Sequence, residues 1–206
     1  MKGRNHYVHA AIAVVSLTLF APVLSAAAQS SGRTITVAAP EPMQLVLALD
    51  EIELDWSAAG EERAMLSRNV APVPGVRSVQ RDGLRAVLTL AAGSETDVAA
   101  TLRAAEAANP GAEGRLVLYE DGVPRSERTR HLLTREVAVL VDPAIDAAAL
   151  ATQLDAAPPR PVAGVPNAWI VLAKDPLDAL RLAETANRIT GVRLAYPLLR
   201  KQQTLR

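Results

Sequence analysis

The stretch Arg85-Ala86-Val87-Leu88-Thr89-Leu90 has a counterpart at Ala168-Trp169-Ile170-Val171-Leu172-Ala173, and this repeat decides the predicted fold. Both stretches are rich in aliphatic and β-branched residues, a composition typical of strands. Two further pairs align in the same order, Ala104–Asn109 with Leu182–Asn187 and, more loosely, Arg115–Tyr119 with Arg193–Pro197. The chain after its N-terminal segment is therefore one pattern written twice.

The first copy of the pattern is predicted to follow the order β-α-β-β-α-β. Gln44–Leu54 is a predicted strand whose apolar parity switches near Asp50, which indicates a bulge or a bend. A short helix is predicted over Glu61–Asn69. Asp82-Gly83 is a hairpin signal, and Ser94-Glu95-Thr96-Asp97 matches a capping box at the start of a second helix.

The second copy repeats this order. Asp142-Pro143 and Asp175-Pro176 each place a capping aspartate before a proline, the pattern that begins a helix. A short strand is predicted over Val162–Val165 and a final strand over Val192–Tyr196. We expect the sheet to end at Pro197, because proline cannot donate a hydrogen bond to a strand ladder.

Together the two copies predict an α+β protein with two tandem ferredoxin-like (β-α-β-β-α-β) domains after a signal peptide. The first domain spans residues 43–120 and the second 134–199, joined by a connecting hairpin arm at 121–133. Residues 29–42, rich in Ser, Gly, Ala and Pro, are predicted to be a flexible entry segment, and 200–206 a polar tail.

Each predicted domain leaves one sheet face without helices. On the strand at residues 168–173 both faces are apolar, with Val171 on one side and Ile170 and Leu172 on the other. Strands that are apolar on both faces usually pack against other parts of a protein on both faces. We expect the second face to pack either on the other half or on a partner protein. The residues predicted to form the core of the second domain are Val139, Val171, Leu180, Ala183 and Leu194.

The N-terminal segment has the organisation of a secretory signal. Lys2 and Arg4 precede the apolar stretch Ala10–Leu24, and Ala26-Ala27-Ala28 supplies small residues for cleavage. We interpret residues 1–28 as a cleaved signal peptide, which predicts a secreted or periplasmic protein. No second apolar run approaches membrane length, so no membrane association is expected after cleavage.

Composition excludes several classes of function. The 206 residues include 22 basic and 22 acidic side chains, and this balance argues against a nucleic-acid partner. The absence of cysteine excludes disulfide scaffolds, thiolate zinc sites and cysteine nucleophiles. Aromatic residues make up only 3%, too few for a platform that stacks bases or sugars.

No catalytic constellation is found in the sequence. His131 is the single histidine after the signal peptide, and its basic surroundings at Arg128–His131 predict a solvated side chain. The acidic run Asp50–Asp55 predicts a solvated strand face, with a calcium site as the second interpretation. We find no Gly-x-Ser-x-Gly elbow and no glycine-rich phosphate loop. We therefore expect no catalytic, metal or cofactor-binding residues, no cofactor and no enzymatic activity.

The second copy resembles a known family. It begins with Leu132–Leu140 and ends with Gly191–Arg200, a Gly-Val step followed by alternating apolar residues and an Ala-x-Pro. This resembles the N-terminal pro-region of secreted bacterial subtilisin-like serine proteases, especially kexin-like members, over about residues 132–203. Residues 43–131 resemble only an upstream repeat. The family's catalytic Asp-Thr-Gly, His-Gly-Thr and Gly-Thr-Ser motifs are absent, so no catalytic residue is carried over.

The resemblance implies a module that assists folding of a subtilisin-like protease domain and then inhibits it. It implies that the bare sheet face packs on the protease and that an extended C-terminal tail lies along the active-site cleft. A frayed C-terminus is the alternative interpretation of that tail. On this interpretation the chain is a truncated protease precursor or a separate propeptide-like protein. The alternative function is that of a free-standing exported adaptor that binds another protein and has no protease partner. The predicted tail residues are Leu198, Leu199, Arg200, Lys201, Gln202, Gln203, Thr204, Leu205 and Arg206.

Overall fold

The structure is a computed structural model that describes residues 31–38, 42–59, 69–91 and 93–201. The predicted signal peptide, residues 61–68 of the predicted short helix and residues 202–206 of the predicted tail lie outside these ranges.

The described residues form nine strands and three α-helices. The strands are β1 (Ser31–Ala38), β2 (Pro42–Asp55), β3 (Val76–Asp82), β4 (Arg85–Leu90), β5 (Glu113–Glu120), β6 (Arg130–Val141), β7 (Arg160–Pro161), β8 (Ala168–Leu172) and β9 (Val192–Lys201). The helices are α1 (Glu95–Ala108), α2 (Ala147–Gln153) and α3 (Pro176–Ala186), and Ser57–Ala59 forms a 3-10 turn.

All nine strands belong to one antiparallel sheet, which confirms the predicted α+β class. The strand order is β3-β4-β2-β5-β6-β8-β7, with β1 also paired to β2 and β9 also paired to β6. Two long strands organise the sheet. Along one edge β2 pairs first with β1 and then with β4, while β5 occupies its other edge. In the same way β6 pairs along one edge first with β5 and then with β8, and with β9 on the other edge.

The two sequence repeats are joined by main-chain pairing. Leu116 and Tyr119 of β5 lie opposite Leu133 and Arg130 of β6, so the ladder runs without a break between the halves. The arm predicted at residues 121–133 therefore contributes its last four residues to β6. The entry segment predicted to be flexible contributes β1, because Thr34–Ala38 pair with β2.

Helix starts follow the predicted capping chemistry in two of three cases. The Ser94 hydroxyl accepts a hydrogen bond from the Asp97 amide, and the Asp97 carboxylate accepts one from the Ser94 amide, as a capping box requires. Asp175 caps α3 ahead of Pro176. The cap predicted at Asp142 is wrong, since α2 begins at Ala147 behind Asp146.

The helices lie on one face of the sheet, over two clusters of buried side chains. The larger cluster combines Leu54 and Leu102 of the first half with Leu133 and Leu180 of the second, so both halves share one core. A second cluster surrounds Val137, Val139 and Val171 beneath α2 and α3. Of the predicted core residues, Val139, Val171, Leu180 and Ala183 are confirmed as buried, but Leu194 is 36% exposed.

Three local strand predictions compare with the structure as follows. The predicted bulge in β2 is confirmed by a register shift between Leu47 and Ile52. The strand predicted at Val162–Val165 is wrong, since β7 consists of Arg160–Pro161. The sheet also continues past Pro197 to Lys201: after a register shift between Leu133 and Val137 of β6, pairing resumes at Leu199, and the Thr134 hydroxyl donates to the Leu198 carbonyl at 3.0 Å.

Within the described ranges, no helix has the length and apolarity needed to cross a membrane.

Candidate functional site

The sheet face opposite the helices is apolar in the second half of the chain. Ala138 of β6 lies opposite Ile170 of β8 on one side and Tyr196 of β9 on the other. Because side chains alternate along a strand, these residues point away from Val137 and Val139, which face the helices. We call this surface the apolar face, and its members are Ala138, Leu140, Ala168, Ile170, Leu172, Leu194 and Tyr196.

The apolar face is accessible to solvent. Leu172 is 40% exposed and Leu194 is 36% exposed, although both side chains are large and aliphatic. Antiparallel sheets covered on one side usually carry polar side chains on the other. A contiguous exposed patch of this kind is typical of a protein-interaction site.

A loop frames this face and forms a small, half-open cavity with it. The segment 157–167, which contains Pro158, Pro159, Pro161 and Pro166, runs along the edge of β8. It presents Val165, which is 49% exposed, beside Val162. The cavity has a volume of about 190 Å³ and is lined by Ala138, Val139, Leu140, Val162, Val165, Ala168, Leu194 and Tyr196. Each of these lining residues is apolar or aromatic.

Charged side chains border the apolar face at one end. Glu136 of β6 forms ion pairs with Arg160 of β7 and with Arg200 of β9. One carboxylate therefore faces two guanidinium groups, and the border carries an excess of one positive charge. The side chains of Arg160 and Arg200 are 65% and 50% exposed, so both remain accessible to a partner.

The same sheet face in the first half is ionic instead of apolar. Arg115 of β5 lies 2.6 Å from Asp55 and 3.5 Å from Glu53. Arg130 of β6 lies 2.6 Å from Glu53 and 2.8 Å from Glu51. Glu53 and both arginines are almost fully buried. The prediction that the run Asp50–Asp55 is a solvated strand face is therefore wrong.

Tyr119 and the loop between β5 and β6, residues 121–129, lie against this ionic cluster. The Tyr119 hydroxyl donates a hydrogen bond of 2.8 Å to Glu51, and burial together with the Glu51 charge raises the pKa of Tyr119 well above its usual range. The Arg125 guanidinium lies 4.9 Å from the centre of the Tyr119 ring and bonds to Asp50. These partners neutralise the acids that the calcium interpretation required. Among the described residues no group of three or more His, Asp or Glu side chains could hold a metal ion.

His131 is also buried, contrary to the prediction that it is solvated. It is 4% exposed, and its Nε2 lies 3.1 Å from Glu120. The hydrogen bond with His131 and the nearby Lys201 ammonium hold the pKa of Glu120 below its usual range, although partial desolvation opposes them. Among the described residues, the side-chain partner of the His131 ring is the Glu120 carboxylate.

The predicted tail divides at Lys201. Leu198–Lys201 belong to β9, and Leu199, Arg200 and Lys201 lie opposite Leu133, Leu132 and His131. The remaining predicted tail residues, 202–206, lie outside the described residues. The structure thus brings the first part of the tail next to the charged border of the apolar face.

Sequence reasoning found part of this site and missed the rest. The apolar character of Ile170 and Leu172 predicted a face covered by the other half or by a partner, and in the structure Leu172 is exposed because the two halves lie side by side in one sheet. Sequence reasoning missed Leu194, which was assigned to the core, and the contribution of Val165. No local signal distinguishes these cases, because an exposed apolar strand residue has the same pattern as a buried one.

Comparisons with known proteins give no relative: no family model, no curated protein and no solved structure matches the chain.

Proposed function

We propose that this chain is an exported, propeptide-like module that binds a subtilisin-like serine endopeptidase, assists its folding and inhibits it. In this proposal the two halves are tandem ferredoxin-like domains, and the apolar face is the surface that packs on the protease. The protein has no catalytic activity of its own, and it is secreted or periplasmic after removal of residues 1–28.

The observation that carries the proposal is the apolar face itself. A soluble chain that leaves Leu172, Leu194 and Val165 exposed on one surface has a surface suited to a protein partner. The border of Glu136, Arg160 and Arg200 gives that surface a polar rim, which protein interfaces usually have.

The strand orders support the domain part of the proposal. In the second half the spatial order is β9-β6-β8-β7, and in the first half it is β5-β2-β4-β3. Counted within each half, both correspond to the order fourth-first-third-second with every neighbour antiparallel. A split β-α-β-β-α-β unit gives this order. The resemblance over about residues 132–203 then makes a protease the first candidate partner.

An inhibition assay tests the proposed function. The secreted full chain is added to a bacterial subtilisin and to a kexin-like protease, and the inhibition constant Ki is measured with a peptide substrate. Leu172→Glu places a charge on the apolar face and is expected to raise Ki at least tenfold. Val79→Glu is the matched control, since Val79 is 46% exposed on β3 at the far end of the sheet.

The outcomes separate the proposed function from its alternative. Inhibition that Leu172→Glu weakens and Val79→Glu preserves supports the propeptide-like role. The absence of inhibition and of refolding assistance with both proteases contradicts it and favours a free-standing adaptor. The chain incubated with the peptide substrate alone is expected to cleave nothing, and cleavage that a point mutation of this chain abolishes would contradict the absence of catalytic activity.

A further inference from the structure

We propose that the cavity between the loop 157–167 and the apolar face is a socket for one large apolar side chain that projects from the partner protease. This inference rests on the proposed function and adds to it the chemistry of the contact. The apolar face then provides most of the contact area with the protease, while the cavity binds the one side chain that anchors it.

The size of the cavity indicates what it holds. Its volume of about 190 Å³ is below the range of roughly 300–1,000 Å³ that small-molecule sites occupy. Its lining contains no charged side chain and no hydrogen-bonding side chain other than the Tyr196 hydroxyl. A cavity of this size and chemistry fits a single aliphatic or aromatic side chain.

The surroundings of the cavity favour a protein as the source of that side chain. The cavity lies within a broader exposed apolar surface, so an occupant that is part of a protein also buries Leu172 and Leu194. The border of Arg160 and Arg200 around the single Glu136 has an excess positive charge that complements a carboxylate on the partner surface. Buried apolar anchors within a larger contact area are the usual energetic centres of interfaces.

The loop is suited to present a socket that exists before binding. Its four prolines, at positions 158, 159, 161 and 166, restrict the backbone. Ala157 and Val162 donate backbone hydrogen bonds to Leu172 and Ala168 of β8, which fixes the loop to the sheet. A preformed socket loses little conformational entropy on binding, so it contributes more of its contact energy to affinity.

The test fills the socket without changing its chemistry. Ala168 lines the cavity and lies opposite Leu140 on the apolar face, so Ala168→Leu adds apolar atoms inside it. Ala163→Leu adds the same atoms to an exposed position of the same loop outside the cavity and is the matched control. Thermal unfolding of both variants checks that the fold is retained.

The first readout is independent of any protease. The full chain is titrated with N-acetyl-L-leucinamide and N-acetyl-L-phenylalaninamide, with N-acetylglycinamide as the probe without a side chain, and backbone amide shifts are recorded by NMR. We expect saturable shifts at Leu140, Leu194 and Tyr196 with the two apolar probes, lost in Ala168→Leu and kept in Ala163→Leu. Absence of these shifts, or their persistence in Ala168→Leu, overturns the inference.

The second readout distinguishes the two proposals. In the inhibition assay, Ala168→Leu is expected to raise Ki at least tenfold and Ala163→Leu less than twofold. If Leu172→Glu abolishes inhibition while Ala168→Leu inhibits like the unmodified chain, the socket is wrong and the proposed function stands. If neither protease is inhibited but the amide shifts follow the expected pattern, the cavity still binds an apolar side chain, while the proposed function fails and with it the protease as the source of that side chain.

Discussion

Arg130 at the start of β6 donates a hydrogen bond to Glu53 on β2 across the intervening strand β5, with Nη1 and Oε2 2.6 Å apart. The two side chains are 2% and 1% exposed. Arg130 belongs to the second half of the chain and Glu53 to the first, so a buried ion pair connects the repeats. Burial by itself would lower the pKa of Arg130. The hydrogen bonds and negative charges of Glu53 and Glu51 outweigh this effect and raise the pKa, so the guanidinium stays charged.

Removal of this guanidinium is expected to destabilise the whole chain. Arg130→Met leaves Glu51 and Glu53 without their main counter-charge in a buried site, and the expected loss in free energy of unfolding is about 3–5 kcal/mol. The matched control is Arg103→Met, which breaks an ion pair of 2.8 Å to Asp175. The Arg103 side chain is 54% exposed, so its loss is expected to cost less than about 1 kcal/mol. Urea unfolding measures both, and equal losses would contradict the prediction.

Asp55 is expected to make stability fall in acid. Burial by itself would raise the pKa of Asp55, but hydrogen bonds from Ser57 and the Arg115 guanidinium outweigh it and hold this pKa below its ordinary 3.8. A carboxyl with a depressed folded-state pKa stabilises the protein above its unfolded pKa, and this contribution is lost as the pH falls through the folded value. The decline therefore begins near pH 3.8 and continues below it.

The Asp55→Asn variant isolates this contribution. Its free energy of unfolding is expected to change less than that of the unmodified chain between about pH 6 and about pH 3, because one titrating group is gone. Some slope is expected to remain, since the Ser94 amide also lowers the pKa of Asp97 and the hydrogen bond with His131 also lowers that of Glu120. Identical acid slopes in the two proteins would show that Asp55 does not contribute.

Leu180 tests whether the two halves share one core. It is 3% exposed on α3 and belongs to the cluster that contains Leu54 and Leu102 of the first half. Leu180→Asp buries an unpaired charge and removes apolar contacts, with an expected loss of at least about 3 kcal/mol. Arg181→Asp changes the exposed neighbouring position on the same helix and is expected to cost less than about 1 kcal/mol. Because the core is shared, Leu180→Asp should reduce the protection of backbone amides against hydrogen exchange in both halves together. A first half that keeps its protection would contradict a shared core.

The elements that could be predicted from sequence are those whose chemistry is local. The capping box at Ser94, the Asp175-Pro176 helix start and the Asp82-Gly83 hairpin each depend on residues within three positions of one another. The helix start predicted at Asp142-Pro143 is wrong, and here the aspartate has a partner that is distant in the sequence. The Asp142 carboxylate bonds to Arg193, which is 51 residues away, and Asp146 takes the capping role.

The candidate site depends on contacts that sequence does not display. The partners of the acidic run are Arg115 and Arg130, which are 62 and 77 residues from Glu53 in the chain, so the run looked solvated. Leu194 has the alternating pattern of a core strand, and only the position of β9 shows that its side chain lies opposite the helices. The burial of the acidic run and the exposure of Leu194 both depend on strand order, which periodicity alone does not specify.

The last prediction concerns the predicted tail. The resemblance implies that it lies in the protease cleft, but Arg200 and Lys201 are paired with β6 and form ion pairs with Glu136 and Glu120. Opening this ladder would expose Leu199, which packs against the main core. We therefore expect residues 202–206, not the Arg200-Lys201 pair, to make the cleft contact.

Shortened and substituted chains distinguish these two parts of the tail. A chain that ends at Lys201 keeps the whole of β9, so its thermal midpoint should be unchanged while its Ki rises at least tenfold. Arg206→Ala should weaken inhibition more than Arg200→Ala, because the resemblance implies a preference for basic residues before the cut. A chain with a Gly-Ser segment of equal length at 202–206 separates the chemistry of the tail from its length. Equal Ki values for the full and shortened chains would show that inhibition arises from the apolar face and that the tail takes no part in it.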